Sequence, residues 1–302
     1  MISPTKISVC LPSFNSQNYL RKTLESLARQ DFSGFEVIVV DCSEGDAVRD
    51  ICTDFNFVSF RHEESRFNPG IGRNIGANIA AGELLIFVDA DVTLAADALS
   101  NAWDFYQKGH RVFGGALELN GQSRFQVSSY LEYLFFNHES QISRPVCVRS
   151  NLSSALMCLE REVFLSNNGF KDIPRMQDTE LTERLIRTGS TLFFTPDVIG
   201  YQIQDSSMQK VLRKIYINGR NIFFIRYAGA SFARRSFMVA SLPIISILKI
   251  SRIIIRHLYY QNQKNKLITI VLSPLLALAG IFWMVGFYRS LIIGGGIDAL
   301  RD

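Results

Sequence analysis

Apolar and polar positions follow two different rhythms along this chain. Up to about residue 108, short apolar runs end abruptly in polar residues and give way to segments with helical spacing. Lys6 to Leu11 reads as a strand closed by Pro12. Asn15 or Ser16 can cap a helix running to about Gln30, in which Tyr19, Leu20, Leu24 and Leu27 share a face. Glu36 to Asp41 reads as a second buried strand, then a short helix near Asp46 to Asp54 and a strand around Phe57 to Phe60. Pro69 sits near the start of a small-residue helix through Ala81, and a helix is predicted over about Ala95 to Lys108. Such strand-helix alternation predicts an α/β fold with a doubly wound, mostly parallel sheet.

Between the last two helices lies the most telling stretch, Glu83-Leu84-Leu85-Ile86-Phe87-Val88-Asp89-Ala90-Asp91. Five consecutive apolar residues suit a strand buried on both faces. The run ends in two carboxylates. If extended backbone continues past Val88, Asp89 and Asp91 point to the same side. Ligands in open α/β sheets bind beyond the carboxyl ends of the strands. Two acids there need a cation or hydrogen-bond donors, and hard oxygen ligands suit Mg²⁺ or Mn²⁺ bridging to phosphate. The plainer alternative is that Asp91 or Thr93 caps the following helix.

Beyond His110 the rhythm changes. Arg111 to Leu119 reads as a strand, Gln122 to Phe136 as an amphipathic helix with an aromatic face, and Ser154 to Leu159 as a strand. Asp172 to Asp178 reads as a polar loop, Thr179 to Thr188 as a helix closed by Gly189, with short strands around Leu192 and Val198. From Ser206 helical patterns dominate. Phe237 to Ile255 is apolar apart from a few Ser, Pro243, Lys249 and Arg252, and suits either an interfacial helix with snorkelling bases or a poor spanning helix. Leu267 to Tyr288 carries no charge and is long enough to span a bilayer. This predicts a core over 1–204, basic amphipathic or interfacial helices over 205–260, and over 261–302 a transmembrane helix at about 267–288 with a short tail.

Charge sharpens that division. Residues 1–204 hold 18 Lys/Arg against 25 Asp/Glu, and residues 205–302 hold 14 against 3. A basic, apolar C-terminal third predicts an anionic membrane surface as partner rather than nucleic acid. The Lys/Arg flanking Leu267 to Tyr288 are Arg256, Lys264 and Lys266 before it, Arg289 and Arg301 after it. The positive-inside tendency then places the core on the cytoplasmic face. The absence of a secretory-type segment at Met1 to Lys6, and five cysteines without metal-type spacing, agree with that expectation.

Four pieces belong at neighbouring strand ends: Leu11 to Asn15, Asp41, Gly72-Arg73-Asn74-Ile75-Gly76, and the two aspartates after Val88. Polar groups, an acid and an arginine there suit a nucleotide diphosphate. With Ala80-Ala81-Gly82-Glu83, Gly169-Phe170 and Gln177-Asp178-Thr179-Glu180-Leu181 in order, these motifs resemble family-two glycosyltransferases over about residues 5–230. The resemblance implies the GT-A fold, a nucleotide-sugar donor (a UDP- or GDP-sugar), a divalent metal and inversion at the anomeric carbon, and the membrane segment, which would bring the active site to it, adds the expectation of a lipid-linked or envelope-glycan acceptor. It assigns Pro12, Ser13, Asn15 and Asp41 to the donor nucleotide, with Asp41 at the base. Arg73 would help hold the nucleotide, Asp89 would face the ribose, Asp91 would bind the metal, and Asp178 would be the catalytic base. Three positions depart from the family pattern: Cys42 follows Asp41 where a second Asp is usual, Gln177 replaces Glu, and Tyr201-Gln202-Ile203-Gln204 stands where a metal-binding His is common. Two alternatives are a non-catalytic donor-binding membrane subunit and a haloacid-dehalogenase-type phosphatase using Asp89 and Asp91.

Overall fold

A computed structural model describes residues 5–121, 126–227 and 229–293. Its first half runs β1 (Ile7–Ser13), α1 (Leu20–Ala28), β2 (Phe35–Asp41), α2 (Ala47–Thr53), β3 (Val58–His62), α3 (Pro69–Ile79), β4 (Leu84–Val88), β5 (Val92–Leu94), α4 (Ala98–Gln107) and β6 (Val112–Leu119). It continues with α5 (Val127–Phe136), β7 (Cys147–Arg149), β8 (Leu156–Glu160), α6 (Arg161–Ser166), α7 (Gln177–Arg187), β9 (Leu192–Gln202), α8 (Met208–Tyr227), α9 (Phe232–Tyr260), α10 (Gln263–Val271) and α11 (Ser273–Ile293). Gln122, expected to start the helix that includes α5, and Arg301, counted in the C-terminal flank, lie outside the described residues.

Two compact units are present. One comprises Met1–Glu118, Arg144–Ile173 and Gln177–Ile203, and the other Leu119–Ser143, Pro174–Met176 and Gln204–Asp302.

The first unit is built on a mixed sheet with strand order β3-β2-β1-β4-β8-β6-β9-β5, with β7 beside β9. The expected parallel sheet is its N-terminal half: β2 pairs in parallel with β3 and β1, and β1 with β4. Beyond β4 the pairing turns antiparallel, β4 with β8 and β8 with β6. The central strands are buried on both faces because successive side chains serve opposite layers. Val9 and Leu11 of β1, with Ile86 and Val88 of β4, pack with Leu20, Leu24 and Leu27 of α1 and with Leu99 of α4. Cys10, Leu85 and Phe87 face the other way, against Ala77 of α3, Phe164 of α6, and Leu181 and Leu185 of α7. Most boundaries lie close to the sequence reading. Pro12 lies inside β1 rather than closing it, and the two short strands expected around Leu192 and Val198 are one continuous β9. Short β5, β7 and α6 carry too few residues to show periodicity in the sequence.

The second unit packs α5, α8, α9 and α11 around Leu131, Leu134, Val211, Ile215, Leu242 and Leu276. The uncharged stretch 267–288 is not one helix. It divides at Leu272, and α11 starts at Ser273-Pro274, where proline's missing N–H costs nothing in a first turn. α8 and α11 approach closely. A Cβ at Gly219 would collide with the Trp283 carbonyl, and one at Gly286 with the Tyr216 carbonyl. Trp283 Nε1 donates to Asn218 at 3.1 Å and Ser290 Oγ to the Arg220 carbonyl at 2.9 Å. Between α9 and α11, Ser246 Oγ donates to the Gly280 carbonyl at 3.0 Å. His257 of α9 is fully buried and bonds the Leu134 carbonyl through Nε2 at 3.0 Å. The Nζ of Lys249 lies 5.1 Å from the ring centroids of both Phe135 and Trp283.

Candidate functional site

Parallel strands deliver their carboxyl ends to one edge of the first unit, and the polar residues cluster there. Asp41, last in β2, is 1% exposed. Its carboxylate accepts from the Ser43 amide at 3.0 Å and the Ser43 hydroxyl at 2.7 Å, and His62 Nδ1 stands 3.8 Å away. Ser43 in turn accepts from the Asn15 amide at 2.7 Å. Asn15 adopts φ 52°, a left-handed conformation that asparagine tolerates better than most residues. It does not cap α1, which starts at Leu20. The Ser13 and Ser16 hydroxyls share a short hydrogen bond. Phe14 between them is 42% exposed and carries the Arg66 guanidinium 4.3 Å from its ring centroid. Thus Asn15 and Asp41 meet at Ser43, a residue that the sequence reading did not single out, and Ser13 stands opposite Asp41 across the β1–β2 pair. Pro12 adjoins α3 at Gly72, where an added Cβ would lie 3.1 Å from the proline Cβ.

The aspartates of the central strand are reached differently. β4 ends at Val88, and the Val92 amide donates to the Asp89 carbonyl at 3.0 Å, so Asp89 to Val92 is a turn rather than continued strand. Extended-strand alternation therefore does not set their directions. Thr93 is in β5, and α4 begins after Asp97, so neither Asp91 nor Thr93 caps a helix. Asp89 is paired with Arg73, whose side chain is 3% exposed. Arg73 Nε is buried without a hydrogen-bond partner, which leaves donor capacity at this edge. Asp91 sits where β5 meets the end of β9: its carbonyl accepts from the Ile203 amide at 2.9 Å. The Tyr201-Gln202-Ile203 stretch, where the resembled family often carries a histidine, is thereby brought beside Asp91.

A second layer fixes Arg73. Its guanidinium lies 5.5 Å from the Phe170 ring centroid, and that ring packs on Phe87 and Phe164. Asn74 clamps the Phe170 backbone at both ends, accepting from its N–H and donating to its C=O at 2.8 Å each. The preceding Gly169 has φ 56°, and a Cβ there would strike the Asn74 side chain. Asn74→Ala strands a buried N–H and C=O together, so it should lower stability by about 1–3 kcal/mol in denaturant unfolding. An unchanged midpoint would show that the clamp contributes nothing.

Asp178 lies in the first turn of α7 and accepts from the Thr179 amide at 2.7 Å. Burial pushes its carboxyl pKa up, with the Asp89 charge adding to the rise. The Thr179 and Ser154 amides and the Arg73 charge oppose it without cancelling it. A carboxylate held above its ordinary range is suited to taking a proton. The start of α7 is stitched to α3. Asn68 caps α3 by accepting from the Gly70 amide at 2.9 Å, and its own amide bonds Asp172. Gln177 Nε2 donates to the Ile173 carbonyl at 2.7 Å and to Asn68 Oδ1 at 3.3 Å. Both partners are acceptors, which suits an amide here better than the glutamate usual in the resembled family. In the same turn, burial raises the Glu180 pKa, but Arg184 and Lys171 outweigh it and hold this carboxyl below its usual range. Of the residues that the motif reading missed, Asn68 had a visible signal, a capping side chain directly before Pro69. Ser43 had none.

Among the described residues, no three His, Cys, Asp or Glu side chains gather into a ready-made metal cage. Asp91 supplies hard oxygen donors at the turn, beside the Arg73-paired Asp89. That set fits Mg²⁺ or Mn²⁺, which bind through one or two carboxylates plus substrate phosphates.

The glycosyl transferase family 2 model matches residues 8–164. The chain is 28% identical over 174 residues to a GalNAc(5)-diNAcBac-PP-undecaprenol beta-1,3-glucosyltransferase of Campylobacter jejuni, covering 55% of each chain. It is 35% identical over 111 residues to the poly(ribitol-phosphate) beta-N-acetylglucosaminyltransferase TarS of Staphylococcus aureus, covering 35% of this chain and 19% of that one. The chain thus spans about half the length of the first relative and much less of the second. In fold it is similar to the mannosyltransferase PcManGT of Pyrobaculum calidifontis, solved with GDP-Man and Mn²⁺. The TM-score is 0.62 at 14% identity, covering 97% of this chain and 90% of that one. TarS with UDP-GlcNAc gives 0.53 at 19% identity, covering 95% and 90%. These neighbours share the GT-A fold.

Proposed function

The chain belongs to glycosyl transferase family 2, and on that premise we propose that it transfers a sugar from a UDP- or GDP-sugar to a hydroxyl of a glycan or lipid-linked acceptor. The observation that carries this reading is the joint position of Arg73, Asp89 and Asp178. Arg73 is paired with Asp89, and Asp178 lies within the electrostatic reach of both, its pKa raised by burial. In the proposed reaction, Ser13, Asn15 and Asp41 hold the nucleoside and Pro12 shapes the wall beside it. Asp89 receives the ribose while Arg73 faces the phosphates. Asp178 takes the proton of the acceptor hydroxyl as that oxygen bonds to the anomeric carbon and the bond to the diphosphate breaks. One such displacement inverts the anomeric centre. Asp91 would hold the metal, and a bound divalent cation supplies positive charge next to the leaving diphosphate.

Membrane association and a cytoplasmic face are part of the same proposal. They are supported by the basic, apolar C-terminal third, and by the absence of any disulfide-bonded cysteine among the described residues. The proposed acceptor at a membrane echoes the undecaprenol-linked substrate named for the Campylobacter relative.

The test is release of free nucleotide from a panel of UDP- and GDP-sugars with the full chain, its membranes, and Mn²⁺ or Mg²⁺. Release from one donor that rises with an added glycan or lipid-linked acceptor is the expected result. Donor binding without release under all these conditions would favour the non-catalytic donor-binding subunit. Phosphate release from phosphate monoesters, with no sugar transfer, would favour the phosphatase.

A further inference from the structure

α9 and α11 of the second unit are apolar on their exposed faces as well as on their buried ones. In a water-soluble helix the buried stripe is apolar and the exposed stripe polar. On α9 the buried stripe is Met238, Leu242, Ile250 and Ile253 with Ser246 and His257 among them, and Lys249 is half-buried between two aromatic rings. Its exposed stripe includes Ile244, Ile247 and Leu248, each more than half exposed. α11 repeats the pattern: Leu276, Ala279, Trp283 and Phe287 face inward beside Gly280, Gly286 and Ser290, while Ile281, Val285 and Ile292 face out. Exposed apolar stripes on two adjacent helices call for a covering partner.

Both α9 and α11 are long and apolar enough to cross a bilayer. What α11 packs against argues for another arrangement. Its midpoint, Trp283 to Gly286, is pressed onto the midpoint of α8 at Tyr216 to Arg220, close enough that only glycines fit at Gly219 and Gly286. α8 carries Arg213, Lys214, Asn218, Arg220, Asn221 and Arg226. If α11 spanned, its centre would sit at the bilayer midplane and bring Asn218 and Arg220 with it, to the depth where polar and charged groups are most costly. If α11 lies in the membrane plane, α8 stays on the water side and only the outer stripes enter the apolar layer.

We propose that α9 and α11 form an in-plane dock for an anionic phospholipid surface, embedding one apolar face without crossing the bilayer. This rests on the membrane association proposed above. The charge of the surroundings selects the partner: Arg226, Arg234, Arg252 and Arg289 are exposed on the helices that border or form these stripes, and residues 205–302 contain only 3 acidic side chains. Basic groups around a shallow apolar face fit phosphate-bearing headgroups.

The test uses the full chain in a Cys147→Ser background, because Cys147 is the cysteine that is not buried. Arg234→Cys, Gln263→Cys and Arg289→Cys, all at exposed positions, report the two ends of α9 and the far part of α11. Each is expressed in bacteria and labelled with a membrane-impermeant maleimide in inverted and in right-side-out membrane vesicles. The in-plane dock labels all three positions from the same side. Labelling Gln263→Cys and Arg289→Cys from opposite sides would overturn the in-plane arrangement while leaving the membrane reading intact. Purified protein is then mixed with vesicles of phosphatidylcholine alone or with added phosphatidylglycerol, and the anionic vesicles should retain more. Equal retention would overturn the headgroup selection. Absence from cell membranes and from both vesicle types would overturn the membrane reading itself.

Discussion

Asp178→Asn is expected to cut sugar transfer by roughly 10²- to 10⁴-fold, the usual range for loss of a general base, while donor binding persists. Asparagine keeps the shape and can still accept the Thr179 amide that the carboxylate now receives. It cannot take the acceptor's proton. Donor affinity, measured by calorimetry with UDP- or GDP-sugar, should change little, because the proposed donor contacts run through Arg73, Asp89 and the β1 and β2 ends. Stability should move the other way. Burial raises the Asp178 pKa, so the folded protein holds this proton more firmly than the unfolded chain does. The stability linked to that proton is complete below the ordinary carboxylate range and is lost as pH rises through the raised folded-state value. The variant lacks this loss, so its Tm relative to the native chain should improve as pH climbs through that window. The activity of the native enzyme should correspondingly fall as pH drops through the same raised value. A variant that loses donor binding but keeps its turnover would remove Asp178 from the acceptor side.

Asp91→Asn is expected to lower donor turnover by at least ~100-fold, because metal charge against a leaving diphosphate is worth several kcal/mol of transition-state stabilisation. The substitution removes one charge at the turn but keeps the Ile203 amide bond to the Asp91 carbonyl. It also leaves the Arg73–Asp89 pair untouched. Circular dichroism should therefore report an intact fold. Chelator should produce a comparable loss in the native chain, restored by Mn²⁺ or Mg²⁺. Full activity in chelator, or in the variant, would remove metal from the mechanism.

Much of the site was legible because its parts are local. A buried apolar strand followed by two aspartates, an acid closing the second strand, and a glycine-flanked arginine opening a helix are short signals with fixed chemistry. The sequence by itself determined the parallel half of the sheet, where each strand's apolar run and each helix's spacing are complete within a few residues. It also determined the charge division between residues 1–204 and 205–302. Tertiary structure decided what depends on partners far away in the chain. Asp89 faces Arg73 because β4 ends in a turn, not because strand alternation continues. Phe170 is held beside Arg73 by Phe87, Phe164 and the Asn74 clamp, the last 96 residues distant. The Asp178 pKa rises because folding encloses its carboxyl and brings the Asp89 charge near it. The uncharged stretch 267–288 reads as one span by composition alone. Its division at Leu272, and the glycine contacts that set α11 against the polar α8, are long-range packing facts that no local pattern encodes.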